Sequence, residues 1–304
     1  MSLATHVRVH STGKDGQPLY DENGNPVVGL AINPAKPFVR SYWIPGANPT
    51  LGNSIALGAL GSGVLEFEID DQGHFDWKYL VGSSTGAFVL KLLDVGKNRE
   101  LQNRPVHSSL IVGSAQRPFI LPENYFFNVG DGKRVMRCTV LDISGAPNTV
   151  RLALVGRRFY HKDADPDVAM EMRKVFGFGE KTYSYFLVPE EYDSNGNPPV
   201  IPGGGSTTFS IFSDAGADTE LKKLMAVSTG AFSLKLFDRA KNKFLMNDAV
   251  VASEVFGNAE FPFIFPESHL LERNKYLLVN ITDLSGAPNT IFIAAAGRRL
   301  QFIP

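Results

Sequence analysis

Three acidic residues recur in this chain and could supply acid–base chemistry. The recurring pairs are Asp94 with Asp238, Glu123 with Glu267, and Asp142 with Asp283. A glycosidase needs two carboxylates that face one cleft, and Asp94 with Glu123 could take that role. Asp142 immediately precedes a turn, however, and Asp94 begins a loop. Structural roles for these carboxylates are therefore favoured over catalytic ones.

The remaining reactive residue types show no spacing typical of metal, nucleophile or phosphate chemistry. None of the six histidines has a histidine counterpart in the second copy, and His6 and His10 lie in a segment expected to be extended. Their side chains would not converge on a metal as they would on a helix. The sequence contains no G-x-S-x-G elbow and no P-loop. We therefore expect no enzymatic activity, no cofactor and no bound metal.

Composition excludes several classes of partner. The chain has 304 residues with 30 basic and 31 acidic side chains, so its net charge of −1 gives no general attraction for nucleic acid or anionic lipid. Its single cysteine, Cys138, excludes an intrachain disulfide. No run of eighteen apolar residues occurs, which predicts neither a membrane span nor a signal peptide. We expect a soluble chain made in a cytoplasm, with no membrane partner and no direct nucleic-acid binding.

The decisive feature is that the chain contains the same sequence twice. Residues 84–123 match residues 228–267 at 22 of 40 positions without a gap, and residues 142–158 match 283–299 at 11 of 17. Unrelated sequences agree at roughly one position in sixteen. An internal duplication therefore organises the fold.

The duplication divides the chain into four parts. We predict an N-terminal arm over 1–36, module 1 over 37–160, a connector over 161–180 and module 2 over 181–304. The connector contains Asp165-Pro166-Asp167, a helix start signal, and Gly177, a helix stop signal. These residues predict one short helix. In the arm, turn-forming residues separate Tyr20 from Val27-Val28, which predicts a small hairpin.

Each module is predicted to be an all-β sandwich. Apolar residues alternate or form short runs, as in 87–93 and 231–237, and glycine, proline, asparagine and aspartate separate the runs. Roughly six to eight such strands in a module fit a two-sheet sandwich of jelly-roll type, with an immunoglobulin-like Greek key as the rival. Periodicity does not distinguish the two, because it carries no strand order.

The segment S-G-A-P-N lies between two alternating stretches in both modules. Glycine permits positive φ, proline fixes φ, and asparagine bonds its side chain to the backbone. The sequence therefore predicts the same hairpin turn twice. Its scaffold residues are Gly145, Pro147 and Asn148 in module 1, and Gly286, Pro288 and Asn289 in module 2.

Paired arginines follow the last predicted strand of each module. Planar guanidinium donors suit protein contacts, and a solvated strand end is the alternative. With the apolar residues of the arm, these arginines form the candidate interface between protein chains. The candidate interface residues are Arg157, Arg158, Arg298, Arg299, Tyr20, Val27 and Val28.

Several runs resemble β-sandwich structural proteins of tailed bacteriophage particles. The runs are Phe75-x-Trp77, S-S-T-G-A-F-V-L-K-L, G-S-A-Q-R-P-F-I-L-P-E and L-D-I-S-G-A-P-N-T-V-R-L-A-L-V-G-R-R-F. The resemblance covers most of each module but neither the arm nor the connector. Module 2 departs from it at Phe261, where module 1 has Arg117. It implies a virion component with no enzymatic role.

Three functions stay open on this basis. The first is a capsid decoration, vertex, collar or tail-associated protein that binds copies of itself and other virion proteins. The second is a double jelly-roll major capsid subunit. The third is a pair of carbohydrate- or receptor-binding modules, which would need exposed aromatic platforms such as Trp43 or Trp77. The expected location is the virion after synthesis in the host cytoplasm, with the cytoplasm as the alternative.

Overall fold

A computed structural model of the chain describes residues 38–48, 50, 52–71, 73–128, 132–160 and 182–301. The predicted arm with Tyr20, Val27 and Val28 lies outside the described residues. So does the predicted helix of the connector.

Module 1 contains ten strands and one helical turn. They are β1 (Phe38–Pro45), β2 (Ile55–Leu57), β3 (Ser62–Glu68), β4 (Gly73–Ser84), β5 (Phe88–Asp94), β6 (Arg99–Glu100), β7 (Val106–His107), α1 (Ser108–Ile111), β8 (Phe119–Phe127), β9 (Val135–Asp142) and β10 (Asn148–Tyr160).

Module 2 repeats this order. Its elements are β11 (Thr182–Leu187), β12 (Val200–Ile201), β13 (Ser206–Ser213), β14 (Ala217–Ser228), β15 (Phe232–Asp238), β16 (Lys243–Phe244), β17 (Val250–Val251), a 3₁₀ turn (Ala252–Glu254), β18 (Phe263–Leu271), β19 (Lys275–Asp283) and β20 (Asn289–Gln301).

The strands of each module form two five-stranded antiparallel sheets. In module 1 the orders are β1-β10-β4-β8, with β2 also on β10, and β3-β9-β5-β6, with β7 also on β5. Module 2 has the same orders, β11-β20-β14-β18 and β13-β19-β15-β16. The strand pairs are nested along the chain: β1 pairs with β10, β3 with β9 and β4 with β8. This is the order of a jelly roll, a long hairpin wrapped into two sheets, and it differs from the immunoglobulin order.

The core of each module lies between its two sheets. Strand β15 shows the alternation that was read from the sequence, with every second side chain buried. Phe67, Phe75 and Trp77 are fully buried in module 1, as are Phe209 and Leu221 in module 2. The buried residues of both modules belong to one contiguous cluster. The predicted all-β fold with two tandem sandwiches is confirmed.

A glycine precedes the paired arginines in both modules because β10 and β20 approach a neighbouring strand closely there. A Cβ atom at Gly156 would lie 2.1 Å from the carbonyl oxygen of Asp76, and one at Gly297 would lie 2.3 Å from that of Glu220. Both separations are far below van der Waals contact. The glycine thus lets the strand close over β4 or β14 immediately before the arginines.

Candidate functional site

The predicted turn residues form the same hydrogen-bonded cluster in both modules. Gly145 and Gly286 each have a φ of 72°, which glycine adopts without strain. The Asn148 side chain donates to the carbonyl of Gly86 at 3.0 Å and accepts from its N–H at 3.0 Å. Asn289 makes the matching bonds to Gly230 at 3.0 and 2.9 Å. These asparagines tie the turn before the last strand to the turn before β5 or β15.

Of the recurring carboxylates, Asp142 belongs to the turn cluster of module 1, whereas Asp94 lies before another turn. Asp142 accepts hydrogen bonds from Ser144 at 2.7 Å and from Asn148 at 3.0 Å. Asp94 accepts from the Tyr125 hydroxyl at 2.7 Å and from the Lys97 N–H at 3.1 Å. Both carboxylates hold turns and strands within module 1.

The first arginine of each pair binds an acid on the adjacent strand. Arg157 donates from Nε and Nη2 to Asp76 on β4, at 3.0 and 2.6 Å. Arg298 donates in the same way to Glu220 on β14, at 2.8 and 2.6 Å. Both arginine side chains are still 36% exposed. Each can therefore make a further contact with another chain, and their role in an intermolecular interface stays a prediction.

The second arginine of each pair is held inside its own module. Arg158 pairs with Asp70 and lies 4.5 Å from the ring centre of Tyr42. Arg299 pairs with Asp214 and lies 4.5 Å from the ring of Tyr185. The Arg158 side chain is only 3% exposed and that of Arg299 11%. These two arginines fasten the first strand of each module to the last.

The two modules meet where β8 of module 1 lies against β11 of module 2. The Ser184 hydroxyl accepts from the N–H of Glu123 at 2.9 Å and donates to its carbonyl oxygen. The rings of Phe119 and Phe186 are 5.8 Å apart, and both side chains are fully buried. One serine and one aromatic pair thus define the centre of the junction.

Cations of module 2 surround β8 at this junction. Lys222 Nζ lies 3.6 Å from a Glu123 carboxylate oxygen, and Arg298 Nη1 lies 3.9 Å from the same oxygen. Lys223 donates to the carbonyl oxygen of Ile120 and lies 4.9 Å from the ring of Phe119. Burial, with a smaller contribution from Lys222, lowers the pKa of Lys223 to about 8. Glu123 is therefore the recurring carboxylate that reaches the other module.

Residues of the loop between β6 and β7 extend the junction. Asn103 donates to the carbonyl of Val188 at 2.8 Å and accepts from its N–H at 2.8 Å. The Phe186 N–H donates to the carbonyl of Leu101 at 2.8 Å. These bonds give β11 backbone partners in module 1, so the junction is a continuous surface.

Arg117 and Phe261, which occupy the same position in the two repeats but differ in type, contact each other. The Arg117 guanidinium lies 4.2 Å from the ring centre of Phe261, a cation–π geometry. Close by, the His107 ring is 4.5 Å from that of Phe292, and burial lowers the pKa of His107 to about 4. This histidine is therefore neutral at physiological pH. The departure of module 2 at Phe261 thus has a structural reason.

A buried carboxylate beside the junction was missed in the sequence. Asp76 is fully buried, and its Oδ1 has no hydrogen-bond partner. Burial raises its pKa, although Arg157, Lys78 and Asn124 oppose the shift. Comparison of identical residues between the modules does not reveal Asp76, because its counterpart in module 2 is Glu220, an acid of another type.

Two cavities lie at equivalent positions of the two modules. The module 1 cavity has a volume of about 250 Å³ and that of module 2 about 470 Å³. Equivalent lining residues are Ser84, Phe88 and Ser109 in module 1 and Ser228, Phe232 and Ser253 in module 2. Glu260 of module 2 also lines the module 1 cavity. Asp76 lines neither of them.

Metal sites and membrane spans are two further kinds of feature that the described residues could form. Among the described residues, no three histidine, cysteine, aspartate or glutamate side chains are grouped closely enough to hold a metal ion. Within the same part of the chain, the helical segments are all too short to cross a bilayer.

No family model matches the chain, and no curated protein matches its sequence. Among solved structures, peptide-N(4)-(N-acetyl-β-D-glucosaminyl) asparagine amidase is similar over 87% of this chain and 97% of its own, with 8% identity and a TM-score of 0.37. PNGase F, a glycosylasparaginase from Flavobacterium meningosepticum, is similar over 88% and 97%, with 9% identity and a TM-score of 0.36. A structure from Sulfolobus Turreted Icosahedral Virus is similar over 84% and 61%, with 10% identity and a TM-score of 0.23.

These neighbours correct one expectation. The chain was expected from its sequence not to be an enzyme, and this exclusion is wrong, because enzymes are among the neighbours that match most of the chain. With TM-scores below 0.5, the likenesses assign no reaction, substrate or partner to this chain. The all-β, jelly-roll-like fold follows from the strand order itself.

Proposed function

We propose that this chain is a structural protein of a tailed bacteriophage particle, present as a capsid decoration, vertex, collar or tail-associated component. It would act by holding copies of itself and other particle proteins together, and it would reside in the virion after synthesis in the host cytoplasm. A double jelly-roll major capsid subunit is the alternative within the same class.

The observation that carries the proposal is the apolar surface on the outer strands of a firmly joined pair of modules. Trp43 on β1 is 60% exposed, and Ile264 and Leu270 on β18 are 63% and 41% exposed. Groups of large exposed apolar side chains mark protein contact surfaces. A rigid two-module body with such side chains on both outer strands suits an assembly role.

The test is the protein content of purified particles. Particles are collected on a density gradient from cells that produce the virus encoding this chain, and each protein is quantified by mass spectrometry. We expect this chain in the particle band at a fixed ratio to the shell protein. Its presence only in the soluble fraction would contradict the proposal.

A second candidate is a carbohydrate- or receptor-binding module pair, favoured by the exposure of Trp43. Trp77 cannot serve as a platform, because it is fully buried and donates its indole N–H to the carbonyl of Tyr79 at 2.7 Å. Glycan-array binding that is lost in Trp43→Ala would support this candidate. Loss of particle incorporation in the same variant, without glycan binding, would support the structural role.

A further inference from the structure

The junction between the modules uses strands that each have a counterpart in the other module. In module 1, β8 is at one edge of its sheet and β1 is at the other; in module 2, β11 and β18 are at the corresponding edges. The junction joins β8 to β11. The other two edge strands of these sheets are β1 and β18.

Strand β1 presents the surface that β11 presents at the junction. Ser41 pairs with Arg157 as Ser184 pairs with Arg298, so Trp43 stands where Phe186 stands in module 2. Ser184 and Phe186 are both 0% exposed, covered by β8. Ser41 is exposed and Trp43 is 60% exposed. The receiving surface is thus present twice, and one copy is covered.

Strand β18 presents the surface that β8 presents. The phenylalanine, isoleucine, proline and glutamate of the docking strand are identical in the two copies, at positions 119, 120, 122 and 123 and at positions 263, 264, 266 and 267. Phe119 is fully buried at the junction, whereas Phe263 is only partly buried. Among the residues that the structure describes, Glu267 is exposed and has neither a hydrogen bond nor an ion pair.

The charges of the two exposed surfaces are complementary. Glu123 faces Lys222 and Arg298 at the junction. The counterparts of these cations in module 1 are Lys78 and Arg157, which lie near Asp76 and keep partial exposure. Glu267 offers a carboxylate that would approach Lys78 as Glu123 approaches Lys222.

We propose that β18 of one copy docks on β1 of a second copy, as β8 docks on β11 within the chain. Trp43 would contact Phe263, and Glu267 would approach Lys78. This inference rests on the proposed assembly function and names one partner for it. Because β1 and β18 are different surfaces, the contact is heterologous and adds copies head to tail into a ring or a filament.

Two variants test the proposal, each blocking one surface. Glu267→Arg places a cation against Lys78, and Trp43→Glu places a charge at the centre of the receiving surface. Glu68→Arg, an exposed charge reversal on β3 of the other sheet, is the matched control. Near-UV circular dichroism checks that each variant keeps its fold.

The readout is mass in solution by sedimentation velocity over a range of protein concentrations. We expect the unmodified chain and Glu68→Arg to form dimers and longer species, while Glu267→Arg and Trp43→Glu each stay monomeric. An equimolar mixture of the two blocked variants should form a species of twice the monomer mass and nothing larger, because one intact surface of each kind remains. A symmetric contact would not give this result.

Other outcomes overturn the proposal. These are an unmodified chain that stays monomeric at every concentration, blocked variants that still assemble, or a mixture that remains monomeric. Failure here is distinct from failure of the proposed function. A chain that enters particles yet stays monomeric contradicts only this contact, whereas head-to-tail assembly of a chain absent from particles contradicts only the proposed function.

Discussion

At the scale of single residues, the asparagines of the repeated turn are buried polar side chains that hydrogen-bond to the backbone. Asn148 and Asn289 are buried, at 2% and 0% exposure, and each satisfies both an N–H and a carbonyl of a distant turn. Removing such a side chain leaves buried backbone groups unpaired.

We expect Asn148→Ala and Asn289→Ala each to lower the free energy of unfolding by roughly 2–3 kcal/mol. Asn280→Ala is the control, because Asn280 makes one exposed hydrogen bond to Thr208, at 3.0 Å. It should cost less than about 1 kcal/mol. Urea unfolding followed by circular dichroism measures all three. Equal losses in the control and the turn variants would contradict this account.

Lys223 should make the free energy of unfolding depend on pH in the alkaline range. Burial lowers its pKa from 10.5 to about 8. Between these values the unfolded chain binds more protons than the folded one, so the free energy of unfolding rises with pH. The rise due to this lysine is about 2 kcal/mol between pH 7.5 and 9.5.

The measurement compares urea unfolding of the unmodified chain and Lys223→Met at these two pH values. We expect the rise to be smaller by that amount in Lys223→Met and unchanged in Lys243→Met, since Lys243 is exposed. The same pH dependence in all three proteins would show that Lys223 is not the group responsible.

At the scale of elements, equivalent strands with similar sequences are buried to different extents. Strand β8 contacts β11 and β20 of module 2, whereas β18 is an edge strand of its own sheet. Phe119 is accordingly fully buried, whereas Phe263 is partly exposed.

We expect Phe119→Ala to lower the free energy of unfolding by roughly 3–5 kcal/mol and Phe263→Ala by at most about 2 kcal/mol. The two substitutions remove the same atoms from equivalent positions, so each is the control for the other. Thermal unfolding at a common pH compares them. A larger loss from Phe263→Ala would place the main burial on β18 instead of β8.

The elements also show how far sequence reasoning reaches. Alternation and the repeat predicted the strands and the two sandwiches, because both follow from local patterns. The jelly-roll order depends on which distant strands pair, and alternation carries no such information. The junction was beyond prediction because β8 and β18 share their docking residues, so the sequence does not tell which of them is covered. Asp76 was missed since its burial depends on that three-dimensional packing.

At the scale of the whole molecule, the two modules should unfold as one unit. Their buried residues form one cluster, and the junction joins them through Phe119, Phe186 and Ser184. Separating the modules would expose these groups, so a state with one module folded is disfavoured.

The two tryptophans of the chain make this testable, since Trp43 and Trp77 are both in module 1. Tryptophan fluorescence therefore reports module 1, while far-UV circular dichroism reports the strands of both modules. We expect the two signals to change at the same urea concentration, in a single step. A second step seen only by circular dichroism would show that module 2 unfolds separately.

The pairing of the first and last strands has a consequence for how such a chain can grow. Phe38 pairs with Tyr160 in module 1, and Thr182 pairs with Leu300 in module 2. The first and last residues of each jelly roll therefore lie next to each other. A gene segment that encodes a whole roll can therefore be copied or cyclically reordered without breaking the strand pairing inside that roll.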